Sequence, residues 1–107
     1  MNQNSNASNS IPEIGMGATI QHYSDRSACT IIHVSPSKKT IILQRDNATR
    51  IDNNGMSESQ EYVYSRNHDG ERYQATLRKD GRYRLSGAKT GETVYLNIRD
   101  EYYDFSF

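Results

Sequence analysis

Residues 72–85 read Arg-Tyr-Gln-Ala-Thr-Leu-Arg-Lys-Asp-Gly-Arg-Tyr-Arg-Leu. Apolar and polar residues alternate on both sides of residues 79–81, with the period of two that is typical of half-buried β-strands, so the stretch predicts a β-hairpin. A two-residue turn would place Leu77 opposite Arg84 and would mix apolar with charged residues on each face. A three-residue loop with Gly81 in the left-handed conformation instead places Leu77 opposite Tyr83. We therefore predict the three-residue loop.

The same register sends the arginines of the hairpin, Arg78, Arg82 and Arg84, to one face, beside Gln74 and Thr76. A guanidinium group donates hydrogen bonds in a bidentate fork that matches carboxylate and phosphate oxygens. Like charges that face each other across a strand pair destabilise it. This face therefore predicts either an anionic partner or an acidic segment of the chain alongside.

The rest of the chain contains short β-type runs separated by turn residues, without a sustained helical period. In the run 93–99 we expect Val94, Leu96 and Ile98 to point one way. In the terminal run 101–107 we expect the aromatic side chains of Tyr103, Phe105 and Phe107 to face the core of a last strand. The pattern predicts a mainly β fold, a small SH3-like barrel or β-sandwich of six to eight short antiparallel strands. The other predicted strands are 18–23, 28–34, 40–45, 48–51 and 61–65.

Length and composition favour one small domain. The chain has 107 residues, of which 34 % are hydrophobic. Residues 1–14 are rich in Asn and Ser and predict a flexible arm, because such a segment buries little apolar surface. Residues 15–107 are expected to form a single β-domain.

The charge is balanced over the whole chain but uneven along it. Thirteen basic and thirteen acidic residues give a formal net charge of zero, which argues against a global field that attracts nucleic acid. Residues 66–89 contain seven basic and three acidic residues, whereas residues 92–107 contain one basic and four acidic residues. Neighbouring strands that neutralise each other would explain this pattern as well as an anionic partner would.

A second group of polar residues could also bind a ligand. Arg45, Asn47 and Arg50 lie in a run of Arg, Asn and Asp residues, and Asp25 and Arg26 lie in the first predicted turn. Arg and Asn side chains suit phosphate or base recognition. Surface ion pairs between these arginines and nearby aspartates are the alternative.

No residue pattern predicts an enzyme, a metal site or a cofactor. Cys29, the only cysteine, and His33 share a face of the predicted strand but lie about 13 Å apart at the usual rise per residue, so they cannot form a catalytic pair. A serine nucleophile would need a histidine and an acid close by, and the sequence contains no nucleophile-elbow motif. The sequence also shows no long apolar run and no secretory signal pattern, so we expect a cytoplasmic protein without membrane contact.

Several phrases of the sequence resemble a group of small proteins encoded by tailed phages and prophages. They are Gly-Met-Gly-Ala-Thr (15–19), Ser-Asp-Arg (24–26) with Thr-Ile-Ile-His-Val-Ser (30–35), the run 44–57, Thr-Leu-Arg-Lys-Asp-Gly-Arg (76–82) and Tyr-Tyr-Asp-Phe-Ser-Phe (102–107). The resemblance implies a phage-type protein that works in the bacterial host cytoplasm and antagonises a defence system. Its partner would be a host defence protein or an anionic nucleotide signal, with or without homo-oligomerisation. A nucleic-acid-binding SH3-like or OB-like module and a virion assembly component are the alternatives.

Overall fold

The computed structural model describes residues 11–87 and 91–105 and contains a closed barrel of six antiparallel strands with a separate two-stranded sheet. The barrel order is β1-β2-β3-β6-β7-β8, and β1 pairs with β8 to close it. The mainly β prediction is confirmed, and of its two alternatives the barrel is the one observed. Among the described residues no helix is long and apolar enough to cross a membrane. The strands are β1 (Gly17–Gln21), β2 (Arg26–Val34), β3 (Thr40–Arg45), β4 (Asn47–Arg50), β5 (Tyr62–Ser65), β6 (Arg72–Leu77), β7 (Tyr83–Leu85) and β8 (Thr93–Leu96).

Side chains that alternate along the strands fill the barrel. Ile20, Ile31, Ile41, Leu43 and Leu96 are fully buried, and each comes from an inward position of its strand. Burial of such side chains supplies most of the driving force for folding of a small domain. The core therefore lies inside the barrel, while the charged side chains lie on its outside and at its ends.

The hairpin of β6 and β7 has the predicted register. Leu77 lies opposite Tyr83, and Ala75 lies opposite Leu85. Gly81 has a φ of 83°, in the left-handed region that a side chain disfavours. The Arg78 N–H donates to the carbonyl oxygen of Arg82 at 2.9 Å, which closes the three-residue loop.

A β-bulge separates Cys29 from His33. The pairing of β2 with β3 shifts between Ile31 and His33, so Ile32 is the extra residue of the bulge. Cys29 is fully buried in the core, whereas His33 is exposed. The expectation that the two side chains share a face was therefore wrong, because one inserted residue inverts the alternation. Burial raises the pKa of the Cys29 thiol to about 12.

The chain leaves the barrel at Asp46 and returns at Arg72, and the small sheet of β4 and β5 lies between these points. Tyr62 and Tyr64 are half-buried on one face, as alternation predicts, with their ring centroids 6.5 Å apart. The opposite face includes Val63, which is exposed.

The start of the chain is described only in part. Residues 1–10 of the predicted arm lie outside the described residues. The Met16 N–H donates to the carbonyl oxygen of Glu13, which forms a turn into β1, and Pro12 before this turn is buried.

The C-terminal segment does not form the predicted strand. In residues 101–105 a single bridge pairs Tyr102 with Arg26, and Tyr103 is 50 % exposed and stacks on Phe105 with ring centroids 4.6 Å apart. Phe107 lies outside the described residues. The edge of β2 is available only at its start, because β3 covers it from Cys29 onward. A longer ladder therefore has no edge to pair with.

A change in backbone conformation also ends β8 earlier than predicted. Asn97 has a φ of 64°, and the next residue, Ile98, is 42 % exposed instead of following Val94 and Leu96 into the core. An asparagine tolerates this left-handed conformation better than most residues do. The chain then crosses the outer face of β1 and β2.

Polar contacts attach this crossing segment to the barrel. The Thr19 hydroxyl donates to the carbonyl oxygen of Ile98 at 2.7 Å and accepts the Asp100 N–H at 3.0 Å. The Ala28 N–H donates to Glu101 Oε1 at 2.9 Å. Thr19 is buried although it points out of the barrel, because the segment covers it.

Candidate anion-binding end of the barrel

Two turns meet at one end of the barrel. One joins β2 to β3 (residues 35–39), and the other joins β6 to β7 (residues 78–82). They are adjacent because β3 and β6 pair in the barrel. The Leu77 N–H donates to the carbonyl oxygen of Lys39 at 2.7 Å, and the Tyr83 hydroxyl donates to the carbonyl oxygen of Lys38.

These two turns concentrate positive charge. They contain five cationic side chains and one carboxylate, that of Asp80, and all of them are exposed. We call the five cationic residues the basic end. Field strength at such a surface depends on the local charge, even when the whole chain is neutral. The members of the basic end are Lys38, Lys39, Arg78, Lys79 and Arg82.

The one carboxylate in these turns is already engaged. Asp80 Oδ2 accepts from Arg84 Nη2 at 2.9 Å, and Oδ1 accepts the Arg82 N–H at 3.0 Å. The hydrogen bond from Arg84 and that from the Arg82 backbone lower the pKa of Asp80. Among the described residues, no member of the basic end forms an ion pair with a carboxylate. The five cations therefore remain available to an external anion.

Arg84, which the sequence grouped with Arg78 and Arg82, has a different environment. Besides Asp80, its guanidinium contacts Thr93 Oγ1 at 2.9 Å and the carbonyl oxygen of Gly91 at 3.3 Å. These contacts link β7 to β8 and to the loop before it. Arg78, by contrast, contacts Thr76 Oγ1 at 3.1 Å and lies along the exposed outer face. The predicted basic face thus contains Arg84, which forms an ion pair and links strands, and two exposed arginines, Arg78 and Arg82, that form no ion pair with a described carboxylate.

The arginines of the second predicted group lie in ion pairs. Arg45 forms a bidentate pair with Glu101 at 2.7 and 2.8 Å. The hydrogen bond to Glu101 is the main cause that raises the pKa of Arg45. Arg50 forms a bidentate pair with Asp52, at 2.8 Å for each bond.

The first predicted turn is likewise engaged. Arg26 lies 3.0 Å from Asp100 and 4.7 Å from the centre of the Tyr102 ring, a cation–π geometry. Asp25 Oδ1 accepts the Asp104 N–H at 2.7 Å. Asn47 is exposed on β4. The structure therefore separates Asp25, Arg26, Arg45, Asn47 and Arg50 from the basic end.

These pairs also show where the acidic C-terminal residues lie. Asp100 and Glu101 contact Arg26 and Arg45, which are at the opposite end of the barrel from the loop of β6 and β7. Strand β8, near the start of the acidic segment 92–107, does pair with β7 of the hairpin. The carboxylates of Glu92, Asp100 and Glu101, however, contact His22, Arg26 and Arg45, so the neutralisation that the sequence suggested occurs away from the arginines of the hairpin.

A histidine, an acid and a serine do converge in the structure, at the end of the barrel opposite the basic end. His22 Nδ1 lies 2.9 Å from Glu92 Oε2, and His22 Nε2 lies 2.9 Å from Ser27 Oγ. A serine nucleophile also needs amide donors for the developing oxyanion. The N–H groups that flank Ser27, those of Arg26 and Ala28, donate to Tyr102 and Glu101 instead. The arrangement thus pairs partly buried polar groups without offering these two amides to a substrate.

Sequence reasoning missed Lys38 and Lys39. Their proximity to Lys79 depends on the pairing of β3 with β6, two strands that the whole β4–β5 insertion separates in sequence. The turn residues of the segment 35–39 were the available signal, since they place both lysines at the tip of a hairpin.

No family model matches the chain, and no curated protein or solved structure matches it either.

Proposed function

We propose that this protein is a non-catalytic binding protein that holds an acidic surface of a partner protein with its basic end. The observation that supports this proposal is the meeting of two turns that place Lys38, Lys39, Arg78, Lys79 and Arg82 at one end of the barrel. Cations without an intramolecular carboxylate partner are costly to crowd together and gain the most from an external anion.

The exposure of the basic end favours a macromolecule over a small ligand. Small-molecule sites are concave and bury most of the ligand. The side chains of the basic end are exposed and belong to two adjacent turns. A surface of this shape contacts a broad partner at several points at once.

The charge balance favours a protein partner. Nucleic-acid-binding domains commonly have a basic overall balance, whereas this chain has a formal net charge of zero. A local basic surface attracts a complementary acidic patch on a partner. The zero net charge of the whole molecule limits its non-specific attraction to polyanions.

Nucleic acid is the second candidate, on the observation that Lys79, Arg78 and Arg82 lie at the tip of a two-stranded ribbon. Such ribbons enter the major groove of DNA in some proteins. Contacts from the five cations would then be expected to give a salt slope of about −4 to −5 in log K against log salt.

The resemblance to small phage and prophage proteins supports a setting for this binding. In that setting the protein acts in the cytoplasm of the bacterial host, and the acidic surface belongs to a defence protein whose activity is blocked. The non-catalytic reading is supported by the engaged amides beside Ser27.

The test begins with capture from the bacterial host and identification of the bound protein, followed by titration of the purified pair. The double variant Lys79→Gln, Arg82→Gln should raise the dissociation constant at least tenfold, since each close charge pair contributes on the order of 1 kcal/mol or more to binding. Arg72→Gln, at the far end of the same strand β6, removes an exposed arginine and should leave affinity within about twofold.

Two results would overturn the proposal. One is a partner that binds the Lys79→Gln, Arg82→Gln protein as tightly as the unchanged protein. The other is full competition by a random-sequence DNA duplex with the salt slope given above, which would establish the nucleic-acid candidate instead.

A further inference from the structure

A cleft separate from the basic end lies between the barrel and the small sheet. It has a volume of about 390 Å³ and is lined by Asp46, Tyr64, Ser65, Arg66 and Arg99. Volumes of this order are typical of small-molecule sites. Neither Arg66 nor Arg99 is among the residues that the sequence pattern singles out as a ligand site.

The two arginines of the cleft are each fixed by a buried polar side chain at the end of β3. Arg99 Nε donates to Asp46 Oδ2 at 2.8 Å, and the Asp46 side chain is 1 % exposed. Arg66 Nη2 donates to Gln44 Oε1 at 3.1 Å, and Gln44 is 2 % exposed. A buried anchor of this kind orients a guanidinium in advance and lowers the entropic cost of binding.

Each anchor is itself held in one orientation. Gln44 Nε2 donates to the carbonyl oxygens of His68 and Gly70, at 3.0 and 3.1 Å, so its amide oxygen faces Arg66. Asp46 Oδ1 accepts from the Thr30 hydroxyl at 2.6 Å, and that hydroxyl also accepts from Arg99 Nη2 at 2.9 Å.

The position of the Arg99 guanidinium depends on the glycine at position 17. A Cβ on Gly17 would lie 2.6 Å from Arg99 Nη1 and 2.9 Å from its Cζ, so only a glycine admits the guanidinium at this position. Arg99 is therefore held by Asp46 and Thr30 in a position that the absence of a side chain at Gly17 allows, and it still lines the cleft.

The anchors of the two arginines are close together in the chain. Gln44 and Asp46 are two residues apart in the chain, which corresponds to roughly 7 Å in extended backbone. Each arginine keeps N–H groups that its anchors do not use, and such groups form charge-assisted bonds of about 2.7–2.9 Å with phosphate oxygens.

Two residues that line the cleft, Tyr64 and Ser65, carry hydroxyl groups. The Tyr64 hydroxyl oxygen accepts the Glu101 N–H at 2.9 Å, and its own proton has no acceptor among the described residues. Ser65 is exposed at the rim. With Asp46 paired to Arg99, the two arginines leave a net positive charge in the cleft.

We propose that this cleft binds a phosphate-bearing small molecule, with the phosphate between the guanidinium groups of Arg66 and Arg99. The volume exceeds that of a phosphate ion, so the rest of the ligand occupies the space beside Tyr64 and Ser65. This site does not depend on the proposed partner of the basic end, and the two can fail independently.

The test is a titration of the ¹⁵N-labelled protein with inorganic phosphate and with ribose 5-phosphate, at constant ionic strength, and with ribose as the phosphate-free match. The Nε–Hε resonances of Arg66 and Arg99 should shift and saturate with ribose 5-phosphate, with a dissociation constant of about 1 mM or below. Ribose alone should shift neither resonance.

Three variants locate the site. Arg66→Gln should weaken binding of ribose 5-phosphate at least tenfold, and Tyr64→Phe should weaken it by a smaller factor with the fold retained. Lys79→Gln removes the same charge at the basic end and should leave the dissociation constant within about twofold. Absence of saturation below about 10 mM, or equal weakening by Arg66→Gln and Lys79→Gln, would overturn the proposal.

Discussion

The Tyr83 hydroxyl donates a hydrogen bond to the carbonyl oxygen of Lys38 and so joins the hairpin of β6 and β7 to the turn between β2 and β3. Tyr83 is 5 % exposed, and burial raises the pKa of its hydroxyl, which therefore stays protonated and able to donate. The spacing of the lysines and arginines at the basic end thus depends on a side chain that belongs to the core.

We expect Tyr83→Phe to reduce the free energy of unfolding by about 1 kcal/mol, because one half-buried carbonyl loses its donor while the ring stays in place. For a domain of this size, that loss corresponds to a fall in melting temperature of about 4–8 °C. Tyr23→Phe is the matched control, since Tyr23 is 94 % exposed. Equal melting temperatures for the two variants would show that the bond contributes nothing to stability.

Gly81 gives a second prediction about the same hairpin. Its φ of 83° is strained for a residue with a side chain, although an added Cβ would meet no atom within 4 Å. Gly81→Ala should therefore cost about 1 kcal/mol through backbone conformation alone. Gly81→Asn should cost less, because asparagine tolerates the left-handed region. Chemical denaturation of both variants checks this order, and a smaller loss for alanine would contradict it.

The hairpin could be predicted from sequence because the residues that decide its register are close together in the chain. The choice between two loop lengths required only that Leu77 face Tyr83 and not Arg84, and both residues lie within a few positions of Gly81. The same local rule fails for the end of the chain. The alternation of Tyr103 and Phe105 predicts a strand, but a strand also needs a partner edge, and the edge offered by β2 accommodates a single bridge.

The two candidate sites depend on contacts between distant parts of the chain. Arg99 meets Asp46 across 53 positions, and the basic end exists only because β3 pairs with β6. Charge patterning located the basic residues of the hairpin but could not show that Arg84 would be paired with Asp80 while Arg82 would not. That distinction requires side-chain geometry.

Removal of Arg99 should be strongly destabilising. Arg99→Gln leaves the Asp46 carboxylate buried with only the Thr30 hydroxyl as a partner, and an uncompensated buried charge of this kind costs about 3 kcal/mol or more. Adding Asp46→Asn to the same protein should restore part of the loss, because the unpaired charge is then absent. Urea denaturation of the two single variants and the double variant gives the coupling energy, and strict additivity would refute the pairing.

Asp52 should make stability depend on pH. The hydrogen bonds from Arg50, and then the N–H groups of Glu61 and Asn54, hold the pKa of Asp52 well below its usual range. A carboxyl with a lowered pKa in the folded state stabilises the fold above its unfolded pKa of about 4 and loses that contribution as pH falls below it. The melting temperature of Asp52→Asn should therefore lie below that of the unchanged protein at pH 7, and the gap should shrink progressively below about pH 4. A gap that is constant across this range would rule out the linkage.

Substitution of Arg84 and substitution of Arg82 should affect the stability of the fold differently. Arg84 contacts Asp80, Thr93 and the carbonyl oxygen of Gly91, so Arg84→Ala removes bonds that join β7 to β8 and should lower the melting temperature. Arg82 lies among cations without a carboxylate partner of its own in the described chain, so Arg82→Gln should leave the melting temperature unchanged or raise it by relieving repulsion.

Added salt screens repulsion between exposed charges and should therefore reduce any gain in melting temperature from Arg82→Gln. Melting curves of the two variants at low and high salt check this contrast. A fall in melting temperature with Arg82→Gln equal to that with Arg84→Ala would show that the basic end stabilises the fold and is not a surface kept for a partner.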